Sequence, residues 1–522
     1  MRLLKILLVT AFLNALVWII IVPVWQYPDE QAHFAQVQYL AENGRTLHDS
    51  KAFDTSYEIA LSEKILGTER DIGGNNKFIY HPEFKIGYSK TLTGPNEGKI
   101  ANLPKSARSR FVKNEATQNP PLYYYLGSVV NKIFSFGDLF TRVYAIRVMS
   151  ALIFTGTIIV AYKIGGLIFA GEILPLTLAA IIAFKPMLVF SSTGVLPDTL
   201  TNFLFSLFIF LSLKIIKFGI SPSKILAVLL IIAAGAATRQ NFLITLFIFP
   251  LVILHQLIFN KKSRQKVVFL IIFCGFLLYA ASFFIPGMDF IHRFDFPEST
   301  SHNQSNPLFH MGFVDHFKWT LNHTFREVWP WYWGIYKWLS LPLPHIIYQI
   351  INRLTLLSLV GLIVWTVQLA RRREAKKEIP LIFTVSTAVI YFMMITVFDY
   401  FFRKNNGYSF GIQGRYFFPV VIPQMAILLT GFWVLFVVIL RKYARIGIFI
   451  ILILVFIFNS ISLFVVASSY YDTGNLQTFI REASQYKPLI FKGNIIILVI
   501  VLSFVSQLFF LFNYVRDIIK EK

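Results

Sequence analysis

Apolar residues in this chain gather into runs of roughly 17 to 25 set apart by short polar stretches. That is the spacing of helices that cross hydrocarbon, not the two-residue alternation of a half-buried strand. Runs near residues 5–22, 120–136, 147–168, 174–191, 198–214, 224–237, 241–259, 267–285, 347–370, 379–398, 416–440, 446–468 and 493–513 predict about thirteen spans. Alternating segments of about ten residues, the mark of a membrane barrel, are not seen. The expected fold class is an all-α polytopic membrane protein with about 12–14 transmembrane helices, which satisfy their own backbone where water is absent.

Two polar stretches are too long to be simple connections. They divide the chain into a first span (1–22), a loop carrying an acidic pair and amphipathic helices (23–119), a transmembrane bundle (120–285), an aromatic-rich loop (286–346) and a C-terminal bundle (347–522). Gly73-Gly74-Asn75-Asn76 and Gly94-Pro95-Asn96 mark turns in the first loop. Trp329, Trp331, Trp333 and Trp338, interleaved with Tyr332 and Tyr336, predict that the second lies along the membrane interface. Long ordered loops of this kind usually carry function.

At 56% hydrophobic and 16% aromatic residues, a water-soluble globule is excluded. Arg2 and Lys5 precede the first apolar run, but no small-residue cleavage site follows it, so an uncleaved first span is expected. The single Cys274 leaves no disulfide framework and no cysteine metal site. The formal charge of +22 concentrates at Lys261-Lys262-Ser263-Arg264-Gln265-Lys266, Arg371-Arg372-Arg373, Arg441-Lys442 and the tail from Arg516. Such clusters place their loops in the cytoplasm beside anionic headgroups, so nucleic acid is not an expected partner. Thirteen spans put both the Lys261 loop and the tail on the wrong side. One segment before residue 261 is therefore miscounted, and the stretch interrupted by Lys185-Pro186 is the suspect. With that correction both long loops face outward. No Walker or GxGxxG phosphate loop is present, so ATP-driven transport has no support.

Candidate chemistry begins right after the first span, at Pro28-Asp29-Glu30-Gln31-Ala32-His33. Carboxylates at headgroup depth are costly unless used, and one of them could act as the general base for a hydroxyl attacking a sugar carbon. The same triplet also suits a plain helix start, with proline in the first turn and acids at the positive dipole end. His33, four residues from Asp29, shares its face. A second motif, Gln118-Asn119-Pro120-Pro121-Leu122-Tyr123-Tyr124, launches the next run and leaves Gln118, Asn119 and Tyr124 facing the outer leaflet, as an aromatic belt would also do. The third is Gly411-Ile412-Gln413-Gly414-Arg415-Tyr416. Topology does not require Arg415 opposite the basic loops, and its flanking glycines would let a phosphate approach; an ordinary snorkelling arginine is the alternative. Lys185, Asp198, Arg147 and Arg239 are further charges at membrane depth, each equally readable as a cap or an internal pair.

The order of PDEQAHF, NPPLYYY, RVMSAL, VLPDTL and GIQGRYFFP resembles a family of predicted bacterial membrane proteins that is itself similar to the GT-C class of glycosyltransferases, with protein O-mannosyltransferases and lipid A aminoarabinose transferases as relatives. The resemblance covers nearly the whole chain. It implies a GT-C-like bundle, Asp29 with Glu30 as the catalytic acids, and a polyprenyl-phosphate sugar donor whose phosphate is held by Arg415 with Arg239 or Lys185. His33, Gln118, Asn119, Tyr124, Asp198, Gln413 and Tyr416 would contact substrate. Two departures stand out: Asn119 precedes the double proline where aminoarabinose transferases have lysine, and no large soluble domain follows the last span. The expected activity is transfer of a sugar from a polyprenyl-phosphate carrier to a glycan, lipid or protein acceptor of the cell envelope, at the outer face of the plasma membrane. The alternative is a transporter or flippase of lipid-linked saccharides. No cofactor is specified, and a divalent cation is left open.

Overall fold

The structure, a computed structural model, describes residues 2–45, 53–71, 76–108, 111–113, 119–259, 311–372 and 375–520. Its helices are α1 (Arg2–Ile21), α2 (Glu30–Asn43), α3 (Tyr57–Leu66), α4 (Pro95–Ala101), α5 (Leu122–Ile133), α6 (Leu139–Ile168), α7 (Ile173–Phe184), α8 (Pro186–Thr193), α9 (Pro197–Phe218), α10 (Pro222–Ala236), α11 (Thr245–Phe259), α12 (Phe313–His323), α13 (Trp329–Gly334), α14 (His345–Arg372), α15 (Ala375–Asn406), α16 (Val421–Leu440), α17 (Ala444–Tyr470), α18 (Leu476–Ala483) and α19 (Ile495–Lys520). Two short antiparallel pairs join the polar segments, β1 (Phe53–Ser56) with β2 (Phe111–Lys113), and β3 (Ile335–Tyr336) with β4 (Leu341–Pro342). The helical membrane architecture expected from the sequence is the one observed.

Eight apolar helical stretches among the described residues are long enough to cross a membrane, and the pair α7–α8 makes a ninth if it counts as one bent span. The bend falls where the sequence places it. Lys185 sits in extended backbone, Pro186 opens α8, and the two axes meet at 59°. One of the eight stretches, Gly414–Tyr470, is interrupted at Arg441 (φ 49°), beyond which α17 packs on α16.

The miscounted segment lies elsewhere. Helix α5 has only 12 residues, about 18 Å at 1.5 Å per residue, against roughly 30 Å of hydrocarbon. It packs on α2 through Gly127, which sits against Val37, and its apolar Leu126, Val129 and Ile133 face outward, as on a helix that lies along the bundle. With α5 removed, α1, α6, α7–α8, α9, α11 and the shorter α10, whose 15 residues return the chain from the end of α9 to Arg239 beside Asp198, make six passes, which returns the start of the Lys261 loop to the side of Arg2. The loop itself and the expected span 267–285 lie outside the described residues.

Helix association in lipid depends on close approach and internal hydrogen bonds. At Gly361 of α14 an added Cβ would stand 1.9 Å from the carbonyl oxygen of Gly431 of α16, so only hydrogen fits at that crossing. In the core, the Asn459 amide donates to Asn14 (2.8 Å) and accepts from the Trp18 indole (3.1 Å), pinning α17 to α1. The outcome is a bundle with one polar end, where the segments after α1, α8 and α10, the stretch 324–344 and the segment before α16 meet.

Candidate active site

Asp29 stands at the N-cap of α2 in the left-handed region (φ 54°, ψ 18°), and its side chain does not cap the helix. A non-glycine residue adopts this backbone only when its surroundings impose it. The next residue does so. Glu30 is fully buried and accepts from Arg147 twice (Nε to Oε1 2.8 Å, Nη2 to Oε2 2.6 Å), from the Trp25 amide (3.0 Å) and from the Val195 amide (3.2 Å). Arg147 spends its remaining donors on the carbonyls of Ile19, Val22 and Pro23, between the rings of Tyr27 and Tyr144. Glu30 therefore locks α2 to α6 and to the α8–α9 turn, with no side left open to a substrate. The expectation of a second catalytic acid is corrected by this placement, because the carboxylate is saturated.

Locked in this way, the chain turns the Asp29 carboxylate into a cavity of about 260 Å³ that Gln413 and Arg415 also line. Arg415 Nη2 donates to Asp29 Oδ2 at 3.2 Å, and Arg70 lies 3.7 Å from Oδ1. The Asp29 side chain is 38% exposed and that of Arg415 only 7%. The guanidinium nevertheless keeps Nε and Nη1 without a partner. Buried donors left open in this way normally meet water or a ligand. Burial works to raise the Asp29 pKa, but the Arg415 and Arg70 guanidinium groups more than offset it and hold the carboxyl below its usual range.

Beside this pair lies a second. Arg239 Nη1 meets Asp198 Oδ1 at 2.9 Å, leaving Asp198 Oδ2 and Arg239 Nε unpartnered. His33 stands among all four charges, its pKa pushed down to about 3 by burial against the pull of Asp29, so the imidazole is neutral. Its Nδ1 pairs with the Tyr124 hydroxyl at 2.9 Å, and Asn119 also bonds to that hydroxyl. Tyr124 is thus buried in the site and not part of an aromatic belt. Gln118 lies outside the described residues. Tyr416 stacks near Arg415 (5.7 Å), and its carbonyl accepts from Tyr391.

Lys185 is elsewhere. Its ammonium donates to the Tyr332 carbonyl (2.7 Å) and sits over the Tyr332 and Trp333 rings (3.8 and 4.0 Å), at the head of a separate apolar cavity of about 170 Å³ between α7, α14, α16 and α17. The structure thus brings Asp29, His33, Asn119, Tyr124, Asp198, Arg239, Gln413, Arg415 and Tyr416 together, and leaves Glu30 and Lys185 outside. Arg70 was not legible in the sequence, since Glu69-Arg70-Asp71 reads as a solvated charge run. Among the described residues no group of three or more His, Cys, Asp or Glu side chains is placed to hold a metal ion, and both aspartates already pair with arginines. The positive charge of those arginines opposes a divalent cation at either aspartate.

The glycines around Arg415 do different work from the phosphate approach expected of them. A Cβ on Gly414 would stand 2.2 Å from the Tyr332 nitrogen and 2.5 Å from the Trp331 carbonyl carbon, so the arginine loop rests directly on α13. Gly411, at φ 77°, faces open space. Gly414→Ala must lift Arg415 away from Asp29, and displacements of about 1 Å in a site of this kind cost on the order of 100-fold in rate. The expected result is a loss of activity on that scale with a lowered thermal midpoint, since overpacking against backbone costs about 1–3 kcal/mol; unchanged activity in the folded variant would dissociate the loop from the site.

A model of the family described as "Predicted membrane protein (DUF2142)" matches residues 12–425. No curated protein sequence matches the chain. Among solved structures it is similar to the archaeal oligosaccharyltransferase AglB from Archaeoglobus fulgidus, in complex with an inhibitory peptide and a dolichol-phosphate (13% identity, 91% of this chain and 57% of that one, TM-score 0.45). It is also similar to ArnT from Cupriavidus metallidurans in the apo state (11% identity, 90% and 75%, TM-score 0.40) and bound to undecaprenyl phosphate (13% identity, 92% and 77%, TM-score 0.39). The chain spans 57% of the length of the oligosaccharyltransferase. Likeness at this level carries no argument about reaction.

Proposed function

The chain belongs to the DUF2142 family of predicted membrane proteins, and from the chemistry of its own site we propose that it is a glycosyltransferase that moves a sugar from a polyprenyl monophosphate to an acceptor at the outer face of the plasma membrane. The observation that carries the reading is a carboxylate and a guanidinium with two open N–H donors sharing one cavity at the polar end of a membrane bundle. The acceptor hydroxyl oxygen attacks the anomeric carbon as the bond from that carbon to the phosphate oxygen breaks, and the bonding pair leaves on the phosphate. Arg415 takes up the growing charge through Nε and Nη1, with a planar fork suited to phosphate oxygens. Asp29 orients the hydroxyl and receives its proton. The released phosphate monoester, with a second pKa of about 6, is the stronger base and carries the proton away. One displacement of this kind inverts the anomeric centre. His33, neutral and tied to Tyr124, supports Asp29, and Asp198 with Arg239 supplies hydrogen bonds to the donor's hydroxyls.

Outward orientation follows from charge. Helix α1 arrives at the site end at Ile21, and α14 and α16 leave it at His345 and Val421. Arg2, Lys5, Arg371, Arg441 and Lys442 therefore lie at the far end, which the positive-inside rule assigns to the cytoplasm.

A pH dependence follows. A carboxyl held below its usual 3.8 stays ionised above that value, so in the free enzyme kcat/KM should hold steady from pH 7 down to about 4 and fall only below it. Donor phosphate drawing Arg415 away would raise the Asp29 pKa, so the acid limb of kcat should lie above that of kcat/KM. Coincident limbs would contradict competition for Arg415.

The bent pair α7–α8 is the one feature that favours a carrier, because transporters build sites on broken helices. Among the described residues it is a single break and not a matched pair. The two readings separate when purified protein in vesicles receives a panel of undecaprenyl-phosphate sugars with an envelope glycan fraction. Release of undecaprenyl phosphate supports transfer, whereas movement of intact donor between leaflets without release would replace it with transport.

A further inference from the structure

Opposite Arg415, the 260 Å³ cavity is walled by aromatic rings that the proposed chemistry does not use, notably Tyr80, Trp331, Tyr336 and Trp338. We infer that this chamber holds one monosaccharide unit of the acceptor, so that the hydroxyl presented to Asp29 belongs to a sugar. The role of acceptor rests on the transfer reading above; the presence of a sugar in the chamber does not.

Size, composition and place all bear on it. The volume falls just below the roughly 300–1,000 Å³ of sites for drug-sized ligands, which suits a single ring. Aromatic residues share the lining with Asp29, Gln413 and Arg415. This is the complement of a pyranose, which has C–H faces for aromatic carbon and a rim of hydroxyls for the Asp29 carboxylate and the Gln413 amide, with Arg415 left to the phosphate. A peptide held by backbone pairing would need a strand edge of several residues, and β3, the strand that lines the chamber, is two residues long. A lipid acceptor would need a long apolar groove, and the apolar cavity here lies on the other side of Tyr332, with Lys185 at its head. Tyr80 is 65% exposed and marks the opening toward water, the side from which a glycan end would enter.

The wall is also held still. Lys337, Trp338 and Leu339 run in the left-handed region (φ 49°, 54° and 61°), a conformation L-residues adopt only under constraint. Trp338 Nε1 donates to the Trp25 carbonyl (3.1 Å) and Lys337 Nζ to the Pro82 carbonyl (2.8 Å), tying this turn to the segment that carries Asp29 and to the stretch after Tyr80. Trp331 is fixed from behind by the contact of Gly414 with its backbone. A preorganised aromatic surface binds with little ordering cost.

The test is saturation-transfer NMR on the purified full-length protein, with methyl pyranosides of glucose, galactose, mannose and N-acetylglucosamine, and with a tetrapeptide and octanol as rivals. Undecaprenyl phosphate binding is measured separately. At least one glycoside should bind, and both Tyr80→Ala and Trp331→Ala should weaken it roughly three- to tenfold, the scale of one aromatic contact. Trp331→Phe should retain binding. Tyr80 is exposed enough that its truncation leaves the fold intact, so that variant decides the matter if Trp331→Ala fails to fold. No glycoside binding, binding indifferent to Tyr80, or displacement by the tetrapeptide or octanol would overturn the sugar chamber while leaving phosphate binding, and the transfer reading, standing. Glycoside binding without undecaprenyl phosphate binding would do the reverse.

Discussion

Asp29→Asn is expected to lower sugar transfer by roughly 10²- to 10⁴-fold, the usual reach of a positioned general base, while the thermal midpoint in detergent stays near that of the parent. The two parts of this expectation come from different features. The carboxylate is 38% exposed and its pair with Arg415 is correspondingly weak as a structural bond. The backbone of Asp29 is set by its neighbour, and asparagine tolerates the left-handed region well. A variant that kept wild-type turnover would remove Asp29 from the chemistry. One that unfolded would make Asp29 a structural residue and leave the proposed base without support.

Glu30→Gln reverses the pattern. It keeps the shape but strips the counter-charge from Arg147, which is fully buried, and breaking one partner of a buried pair costs about 3–5 kcal/mol. The expected result is a large fall in the thermal midpoint, with activity lost in proportion to folded protein. Replacing both residues by methionine should recover part of the stability, because no lone charge is then left in the core. If Glu30→Gln were as stable as the parent yet inactive, Glu30 would belong with the catalytic groups after all.

The contrast between adjacent acids explains what was and was not legible in the sequence. Asp29 and Arg415 could be read because each carries charge at the membrane edge where topology does not demand it, and the structure sets them 3.2 Å apart across 386 residues. Glu30 could not be separated from Asp29, since successive residues at a helix start diverge by about 100° and the partner that consumes Glu30 lies 117 residues away. Lys185 has the depth of a phosphate ligand but stands on the wrong side of Tyr332, a fact carried by packing alone. Helix α5 looked like a span because its apolar stripe resembles one. Its shortness is set by Asp138, which caps α6 with its carboxylate accepting from the Thr141 amide. The tryptophans of α13 were read together as an interfacial belt. Residues two apart on a helix do not share a face, and Trp331 lines the Asp29 cavity while Trp333 lines that of Lys185.

The central claim is that Arg415 offers its open donors to a lipid-linked phosphate within reach of Asp29. Its most direct test is an undecaprenyl phosphate titration of the parent, Arg415→Ala and Asp29→Asn proteins at fixed ionic strength. Binding should be lost or severely weakened in Arg415→Ala. It should be tighter than the parent in Asp29→Asn, because the competing carboxylate is gone while the guanidinium remains. Equal affinity in all three proteins would place the phosphate elsewhere and contradict the account.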